Sequence, residues 1–304
     1  MKYYHGEGRK GPYFEGWYFK YQTKSGKSLT LIPAVHVGGS GQRRVSLQIL
    51  TELHSWCVEY PETEFYSAEC QFHIRMGRNI FDEKGIQLHL EQENISLQGF
   101  LQHGPFAPLK SDIMGPFRFF AGMECAHGVI SMGHSVCGTV TLNGETIDFT
   151  GGIGYVETDR GCSFPSAYFW TQCTWQEPQR SSLMLSVATI PFLTGHFTGC
   201  ICSVMYQGRE YRLATYRGVR VEQWSGDGAE IRQGRFRLTV EVLEGQGQPL
   251  RAPVEGNMER TVYESLRAKL RYRFWDGNDL LFQHTDRSAS FEFADERPAA
   301  GRKG

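Results

Sequence analysis

The stretch "GYVETDRGCSFPSAYFWTQC", residues 154–173, alternates apolar and polar residues on both sides of a central turn. A period of two is typical of β-strands, because successive side chains point to opposite faces of a sheet. Similar runs rich in Val, Ile, Thr, Tyr, Phe and Trp recur along the chain, with glycine-containing turn signals between them. Helical periodicity is nearly absent, so the sequence predicts an all-β protein.

The number of strand-like runs predicts two domains. Slightly more than eight runs precede the end of the polar stretch "QEPQR" (176–180), and about eight follow it. Eight antiparallel strands suffice to close a small barrel with room for one small ligand. We therefore expect two antiparallel β-barrels in series, over residues 1–177 and 178–294, followed by a polar tail over residues 295–304. The two strands of residues 154–173 would then end the first barrel.

Two segments leave alternatives open. Residues 105–120 contain repeated proline and glycine-proline breaks and do not alternate, which is typical of a long connection. This connection could be a lid over a barrel mouth or a packed crossover. Residues 258–274 alternate as a strand, although "VYESLRAKL" (262–270) would also fit a short helix at the start. We expect a strand there.

The composition excludes several classes of protein. The chain has 304 residues, of which 40% are hydrophobic and 21% are charged, as is ordinary for a globular protein with a sizeable core. A net charge of −1 argues against a nucleic-acid partner. The first residues lack the apolar core of a secretory signal, and no run approaches the roughly 18 apolar residues of a membrane span. We expect a cytoplasmic protein without a transmembrane segment, while peripheral contact with lipid and the oligomeric state stay open.

The usual cofactor motifs are missing. The sequence has no G-x-G-x-x-G after a strand, no G-x-x-x-x-G-K-[ST] phosphate loop and no G-x-S-x-G nucleophile elbow. Its eight cysteines form no C-x-x-C pair, and Cys200 and Cys202 share one face of a strand, so we expect reduced, mostly buried thiols. No cofactor and no metal is predicted. What remains is binding of an apolar small molecule, or acid–base chemistry on one.

A first candidate cluster lies in "GPYFEGWYFKYQ" (11–22). Glu15, Trp17 and Phe19 share one face of the predicted strand, and burial among aromatic rings disfavours the ionised form of an acid. Alternatively, Glu15 ties down a neighbouring loop or pairs with an arginine such as Arg118.

A second cluster lies in "MECAHGVISMGHSVCG" (123–138) and contains Glu124, His127 and His134. Their spacing is not a recurrent zinc signature, but either histidine could donate a proton or orient another group. A structural histidine that is satisfied by hydrogen bonds is the alternative for each.

The third cluster is the stretch of residues 154–173 itself. Glu157 and Asp159 point to one side of an extended backbone, and two like charges so close favour protonation of one of them, as a general acid requires. Arg160 beside them opposes that effect. Further along, Tyr168 and Trp170 share a face, which would suit an extended apolar or aromatic ligand.

At these clusters the chain resembles the tocopherol cyclase family, from about residue 8 to about residue 293. The motifs that carry the resemblance are "PYFEGWYFK" (12–20), "IMGPF" (113–117), "MECAHGVISMGH" (123–134), "DFTGGIGYVE" (148–157), "SFPSAYFWTQC" (163–173) and, more weakly, "ESLRAKLRYRF" (264–274). The resemblance implies a pair of lipocalin-like β-barrels, a fold also attributed to carotenoid hydratases and certain lipocalin-like pericyclases. In plant members a protein acid protonates the prenyl double bond, and the phenol oxygen captures the cation to close the chromanol ring.

The resemblance also implies the residues of a site. Carried over by position, the candidates for catalysis are Glu157 and Asp159 as the acid, with His127 or His134 as the proton partner. The candidates for substrate binding are Glu15, Trp17, Glu124, Arg160, Phe164, Tyr168 and Trp170. The family usually continues with Lys, then Asn or Asp, then Trp, where this chain has Thr158, Asp159 and Arg160, and Tyr168 replaces a further tryptophan. The resemblance therefore supports the fold more than it supports tocopherol as the product.

Three hypotheses about function are consistent with these residues. The first is a cofactor-independent isomerase or lyase that cyclises, isomerises or hydrates a prenylated or polyene substrate. The second is a lipocalin-type carrier that binds an isoprenoid or another apolar small molecule without changing it. In the third, the motif aromatics only pack between the barrels, Glu15 and Glu157 pair with Arg118 or Arg160, and no cavity lies beside them.

Overall fold

The computed structural model describes residues 2–120, 123–176, 178–192 and 195–296. Antiparallel strands dominate these residues and form two sheets, of twelve and ten strands. The described part of the chain contains no α-helix and no helix that is long and apolar enough to span a membrane. Its helical segments are three short 3₁₀-helices, Glu62–Glu64, Gly115–Phe119 and Thr215–Arg217. The prediction of an all-β protein with two antiparallel β-barrels in series is confirmed in its fold class and its two antiparallel units, although the two sheets are open rather than closed barrels over the described residues.

Twelve strands form the first sheet. In chain order they are β1 (Tyr13–Gln22), β2 (Ser28–Val37), β3 (Arg43–Leu50), β4 (Ser55–Tyr60), β5 (Phe65–Ser67), β6 (His73–Met76), β7 (Asn79–Asp82), β8 (Gly85–Gln92), β9 (Ile95–His103), β10 (Cys125–Leu142), β11 (Glu145–Asp148) and β12 (Gly152–Gly161). Their order across the sheet is β4-β3-β2-β1-β12-β10-β9-β8-β7-β6-β5, and β11 pairs with β10.

Ten strands form the second sheet. In chain order they are β13 (Ala167–Trp175), β14 (Ser181–Phe192), β15 (Gly195–Tyr206), β16 (Arg209–Ala214), β17 (Arg220–Ser225), β18 (Gly228–Gln233), β19 (Phe236–Glu244), β20 (Gln248–Val254), β21 (Asn257–Asp276) and β22 (Asp279–Asp295). Their order is β16-β15-β14-β13-β22-β21-β19-β18-β17, and β20 pairs with β21. Among the described residues the end strands of each sheet do not pair with each other, so neither sheet is closed.

The stretch of residues 154–173 joins the two sheets rather than ending one of them. β12 pairs with β1 and β10 in the first sheet, whereas β13 pairs with β14 and β22 in the second. The prediction that both strands end the first barrel is therefore wrong, because the turn between them carries the chain from one sheet to the other. The domain division at residues 177 and 178 stays a prediction. Residue 177 and residues 297–304 of the predicted tail lie outside the described residues.

The two ambiguous segments have defined structures. β21 is a strand over its whole length, so residues 262–270 contain no helix. Residues 105–120, here called the crossover segment, are bound to the second sheet: Arg212 donates to the carbonyl of Asp112 at 3.0 Å, and the Tyr216 hydroxyl donates to the carbonyl of Ile113 at 3.0 Å. Gly115 has a φ of +53°, and a Cβ there would lie 2.6 Å from the Tyr216 ring, so only glycine fits. These contacts support the packed crossover.

Three apolar cores follow from the pleat of the strands. One consists of residues of the first sheet, one of residues of the second, and the third combines residues of both. On β1, Trp17 and Phe19 belong to the first core, whereas Tyr18 belongs to the shared core. On β13, Phe169 belongs to the second core and Trp170 to the shared core. Each sheet thus uses one face for its own core and the other for its neighbour.

The cysteines are all free, as predicted, but most of them are not buried. Burial is complete only for Cys173, Cys200 and Cys202; Cys125 and Cys162 are half-buried, and Cys57, Cys70 and Cys137 are exposed. The prediction of mostly buried thiols is wrong, because the exposed cysteines occupy outward positions of strands and turns.

Candidate functional site

A cavity of about 170 Å³ opens between the two sheets. Side chains of both sheets line it, together with Met114 and Phe117 from the crossover segment. Its walls are mainly apolar and aromatic, as is usual where proteins bind small apolar ligands. Of the predicted site aromatics, Phe164, Tyr168 and Trp170 lie on the wall. The cavity therefore belongs to neither sheet alone.

The face of β1 that lines the cavity is not the face expected from the sequence. Phe14, Gly16 and Tyr18 line it, whereas Trp17 belongs to the first core. Because side chains alternate along a strand, a site placed one residue away lies on the wrong face. Gly16 leaves room beside the wall, since a Cβ there would lie 3.5 Å from the nearest atom, the Cβ of Ala34.

Three predicted catalytic residues meet on the wall: His127, Glu157 and Asp159, here called the first-sheet cluster. Asp159 on β12 lies opposite His127 on β10, and Glu157 shares the face of Asp159 two residues earlier. Nδ1 of His127 lies 2.9 Å from Oδ1 of Asp159, and Nε2 lies 3.3 Å from Oε2 of Glu157. The second contact is in ion-pair range but is not aligned as a hydrogen bond. The imidazole therefore bridges two carboxylates.

Members of the first-sheet cluster shift one another's pKa values. Burial alone would lower the pKa of His127, but the charges of Asp159 and Glu157 outweigh it and raise that pKa well above its usual range. Burial raises the pKa of Glu157, and the neighbouring His127 works against this effect. At neutral pH the cluster thus holds a proton among groups that face an apolar cavity.

Tyrosine hydroxyls bind the acids of the site. Tyr155 donates to Oε2 of Glu157 at 2.5 Å, and the two side chains share one face of β12 because they are two residues apart. The same arrangement recurs on β1, where Tyr13 donates to Glu15 at 2.8 Å. In both strands, a tyrosine two residues before a glutamate therefore donates a hydrogen bond to it on the same face of the strand.

Two further acids at the site were not found by sequence reasoning. Glu292 on β22 lines the cavity, and Tyr168 donates to its Oε2 at 2.7 Å. Burial raises the pKa of Glu292 to about 7. Glu264 on β21 lies opposite Glu292 in the strand pairing and accepts a hydrogen bond from the Tyr18 hydroxyl. Burial, and then the charge of Glu292, raise the pKa of Glu264 well above its usual range.

The sequence did carry a signal for both acids. Glu292 stands between Phe291 and Phe293, which is the same aromatic setting that made Glu15 a candidate. Glu264 is the first residue of the weakest family motif, residues 264–274. An acidic residue between aromatic residues of a strand is therefore a signal for a buried acid, and it also occurs outside the three clusters.

A metal ion is a second way to use the first-sheet cluster. His127, Glu157 and Asp159 can each offer one ligand atom, and these atoms lie within 4.8 Å of one another. In the structure, however, each ring nitrogen of His127 already faces a carboxylate oxygen. A metal ion would bind the lone pair of one of these nitrogens. Because both nitrogens face carboxylate oxygens, the arrangement favours an imidazole that is protonated on both nitrogens. The predicted absence of a metal stays a prediction.

Glu15 lies away from the cavity wall and is fully buried. It accepts hydrogen bonds from the backbone amide of His5, from Nδ1 of His5 and from the Tyr13 hydroxyl, each at 2.8 Å. Glu15 therefore ties down the N-terminal segment, which was the alternative for this residue. Its predicted contact with substrate is not supported by this geometry.

His134 is buried away from the first-sheet cluster. Its Nδ1 lies 3.0 Å from the Ser131 hydroxyl, and its ring packs 4.7 Å from the rings of His103 and Phe106. Burial lowers the pKa of His134 to about 2, so the imidazole is neutral. These contacts match the alternative of a structural histidine, and they do not bring His134 to Glu157 or Asp159.

Three further predicted substrate contacts do not line the cavity. Trp17 is fully buried in the first core, where it packs against Tyr4 and Phe65. Glu124 and Arg160 are half-buried beside wall residues without lining the wall themselves. Their roles in binding stay predictions.

The cavity argues against the packing hypothesis and leaves the other two hypotheses open. The packing hypothesis expects no cavity beside the motif aromatics, and the structure has one. It also expects Glu157 to pair with Arg160, whereas Glu157 contacts His127 and Tyr155. An enzyme and a carrier are both compatible with an apolar cavity that holds buried acids.

Two solved structures share the fold over most of their length. Kievitone hydratase from Nectria haematococca aligns with a TM-score of 0.54 and 10% sequence identity, covering 94% of this chain and 90% of its own. CghA in complex with Sch210972 aligns with a TM-score of 0.56 and 12% identity, covering 93% of this chain and 89% of its own. At such low identity these structures show a common fold alone.

No curated protein matches the sequence. A sequence model of one family, described as tocopherol cyclase-like, matches residues 113–294. The matched part contains the first-sheet cluster, the wall aromatics of β13 and both Glu264 and Glu292. Because this match spans more than half of the chain, the chain belongs to the tocopherol cyclase-like family.

Proposed function

We propose that this protein is a cofactor-independent acid–base enzyme that transfers a proton to a carbon–carbon double bond of a prenylated or polyene substrate. The observation that carries the proposal is the first-sheet cluster on the wall of an apolar cavity. Cyclisation, isomerisation and hydration can all begin with this step. Membership of the tocopherol cyclase-like family supports this class of reaction, and so does the name of one structural neighbour, a hydratase.

The cavity favours an apolar substrate. Burial of apolar surface contributes about 25 cal/mol per Å² removed from water, and the wall offers mainly carbon atoms. The cavity of about 170 Å³ is comparable to one of roughly 150 Å³ that holds a benzene molecule. One ring or one prenyl unit therefore fits inside, and the remainder of a longer substrate would extend through the mouth.

Protonation of a double bond leaves a positive charge on carbon, and the wall offers groups that stabilise it. The rings of Phe164, Tyr168 and Trp170 can each face a cation, an interaction of roughly 0.5–2 kcal/mol. The carboxylates of Glu157 and Asp159 add negative charge on the other sheet. A cation formed in the cavity would thus lie between aromatic faces and carboxylates.

The proton balance requires an acid and a base. In cyclisation the acid forms a C–H bond at one alkene carbon, a hydroxyl oxygen of the substrate bonds to the other, and the hydroxyl proton passes to the base. Substrate and product then have the same composition. In hydration a water molecule takes the place of that hydroxyl. The first-sheet cluster, with one imidazole and two carboxylates, can serve at either end of this transfer.

Conversion of a geranylated hydroquinone in D₂O tests the proposal. Mass spectrometry should show an isomer with one carbon-bound deuterium, because the transferred proton comes from an exchangeable acid. The E157Q/D159N variant should convert the quinol at least ~10²-fold more slowly. E145Q/D148N is the matched control, since it removes two exposed carboxylates of the same types from the first sheet.

The same assay distinguishes the enzyme from the carrier. Unchanged conversion by a folded E157Q/D159N variant would contradict the role of the first-sheet cluster. If the wild type binds prenylated quinols and polyenes in calorimetry but converts none of them, the protein is a carrier. The carrier hypothesis is kept because the apolar wall alone accounts for binding.

A further inference from the structure

We propose that Glu292 on the second sheet is the proton donor of this reaction, and that the first-sheet cluster accepts the proton released by the nucleophile. The inference rests on the proposed function and adds the direction of proton transfer. It assigns the acid to a residue outside the three clusters of the sequence analysis.

The position of Glu292 suits a donor. It lines the cavity from β22, although it is itself buried, and its strand neighbour on β13 is Trp170 of the same wall. Its Oε2 accepts the hydrogen bond of Tyr168 at 2.7 Å, which fixes the carboxyl beside two aromatic rings. A substrate in the cavity would therefore meet this carboxyl directly.

Glu264 forms a pair of buried acids with Glu292, whose charge raises the pKa of Glu264. The two residues are directly opposed in the pairing of β21 with β22, and both are buried. Like charges at directly opposed positions of neighbouring strands destabilise a sheet, so the pair retains at least one proton. Oε1 of Glu264 takes the hydrogen bond of Tyr18, and its Oε2 is buried without a hydrogen-bond partner among the described residues.

The other charged groups around Glu292 do not neutralise it as an ion-pair partner would. Glu157 and Asp159 face it from β12 and, as further carboxylates, favour its neutral form. Arg260 on β21 is the basic group nearby, but its guanidinium is bound to the carbonyls of Pro165 at 2.7 Å and Ser166 at 3.0 Å. In the described part of the chain, no Lys, Arg or His nitrogen lies within the 4.0 Å of an ion pair with Glu292.

The first-sheet cluster differs from Glu292 because it contains a cation. His127 lies within 3.3 Å of both carboxylates, and its charge opposes the effect of burial on the pKa of Glu157. Environments that push the pKa values of two acids apart assign the roles of donor and acceptor, and Glu292 is the acid without an ion pair among the described residues. Burial raises the pKa of Glu292 to about 7, so a substantial fraction of this carboxyl keeps its proton at neutral pH.

The cyclisation of a prenylated quinol would begin at Glu292. The O–H bond of Glu292 breaks, and its proton forms a C–H bond with the less substituted alkene carbon through the electron pair of the double bond. The phenol oxygen then bonds to the resulting tertiary cation, and its proton passes to a carboxylate of the first-sheet cluster. Glu292 is left ionised, and exchange with water restores both groups.

A pH profile with three variants tests the assignment, with the geranylated hydroquinone as the probe. The wild-type rate should fall as the pH rises through about 7, and E292Q should lose ~10²–10⁴-fold in rate. The control E244Q removes an exposed glutamate of the second sheet and should keep the wild-type profile. Y168F removes the hydrogen bond that favours the ionised carboxyl, so the midpoint should move to higher pH.

A readout without substrate makes the two proposals separable. In an infrared pH titration, the wild type should show a protonated carboxyl band that ionises near pH 7, and E292Q should lack it. Wild-type turnover with an unchanged rate in folded E292Q would overturn the inference and leave the proposed function standing. An unmoved midpoint in Y168F, or an ionised Glu292 at acidic pH, would overturn it as well. No conversion of any prenylated quinol or polyene by the wild type would overturn the proposed function, whatever the infrared result.

Discussion

The E292Q variant should lose a defined part of the pH dependence of folding. Burial raises the pKa of Glu292 from its ordinary value of 4.5 to about 7. Between these two values the folded protein holds a proton that the unfolded chain has released. The stabilisation linked to this proton is therefore complete below pH 4.5 and is lost as the pH rises through about 7.

The magnitude follows from the two pKa values. Each tenfold change in proton affinity is worth about 1.4 kcal/mol, so the loss across this interval is about 3 kcal/mol in the free energy of unfolding. Glutamine has nearly the shape of a protonated glutamate but does not titrate. Between pH 4.5 and about pH 8, the stability of E292Q relative to wild type should thus rise by about 3 kcal/mol.

Urea unfolding followed by circular dichroism at several pH values measures this difference. The E244Q variant serves as the control, since Glu244 is exposed and pairs with Lys269 at the surface. Its stability relative to wild type should not rise in this interval. A constant difference between E292Q and wild type across the interval, or a change in the opposite direction, would show that the pKa of Glu292 is not raised in the folded protein and would refute the reasoning.

Two positions on β1 give further predictions. G16A should fold and bind the quinol, because a Cβ there has only ordinary contacts. G16L should place a large side chain in the cavity and weaken binding of the quinol, measured by calorimetry, by roughly tenfold or more. Equal binding by both variants would contradict the placement of Gly16 on the wall. W17A should lower the free energy of unfolding by roughly 3–5 kcal/mol, because Trp17 is fully buried. A loss below roughly 1 kcal/mol in urea titrations would contradict its place in the core.

The alternation of residues predicted the faces of β13 better than those of β1. Tyr168 and Trp170 do share a face and do line the cavity. On β1 both faces are apolar and aromatic, because Trp17 enters the first core while Tyr18 enters the shared core. Both strands are buried on both sides, so alternation shows which side chains share a face but not which face meets the cavity.

The assignment of β13 to a sheet depended on long-range pairing. The sequence suggested that β12 and β13 both belong to the first barrel, since consecutive strands usually lie close together in one sheet. Instead Phe169 lies opposite Val187 on β14 and opposite Phe293 on β22, more than 100 residues later. Pairing over such a distance leaves no local signal at the turn between β12 and β13.

The family resemblance identified the first-sheet cluster but not the acids of the second sheet. His127, Glu157 and Asp159 meet because β10 and β12 pair in a register that brings His127 opposite Asp159. Glu264 and Glu292 are opposed across two strands whose pairing contains several register shifts, so no fixed spacing relates them. The contact of Glu264 with Tyr18 of the first sheet exists only once the two sheets pack together.

The central claim is that the cavity between the sheets transfers a proton to a carbon–carbon double bond. The most direct test is the position of deuterium, by nuclear magnetic resonance, in the product that the wild type forms from a geranylated hydroquinone in D₂O. The account predicts one deuterium on the ring carbon next to the carbon that bonds oxygen, and little of this product from E157Q/D159N. A cyclised product without carbon-bound deuterium would contradict it.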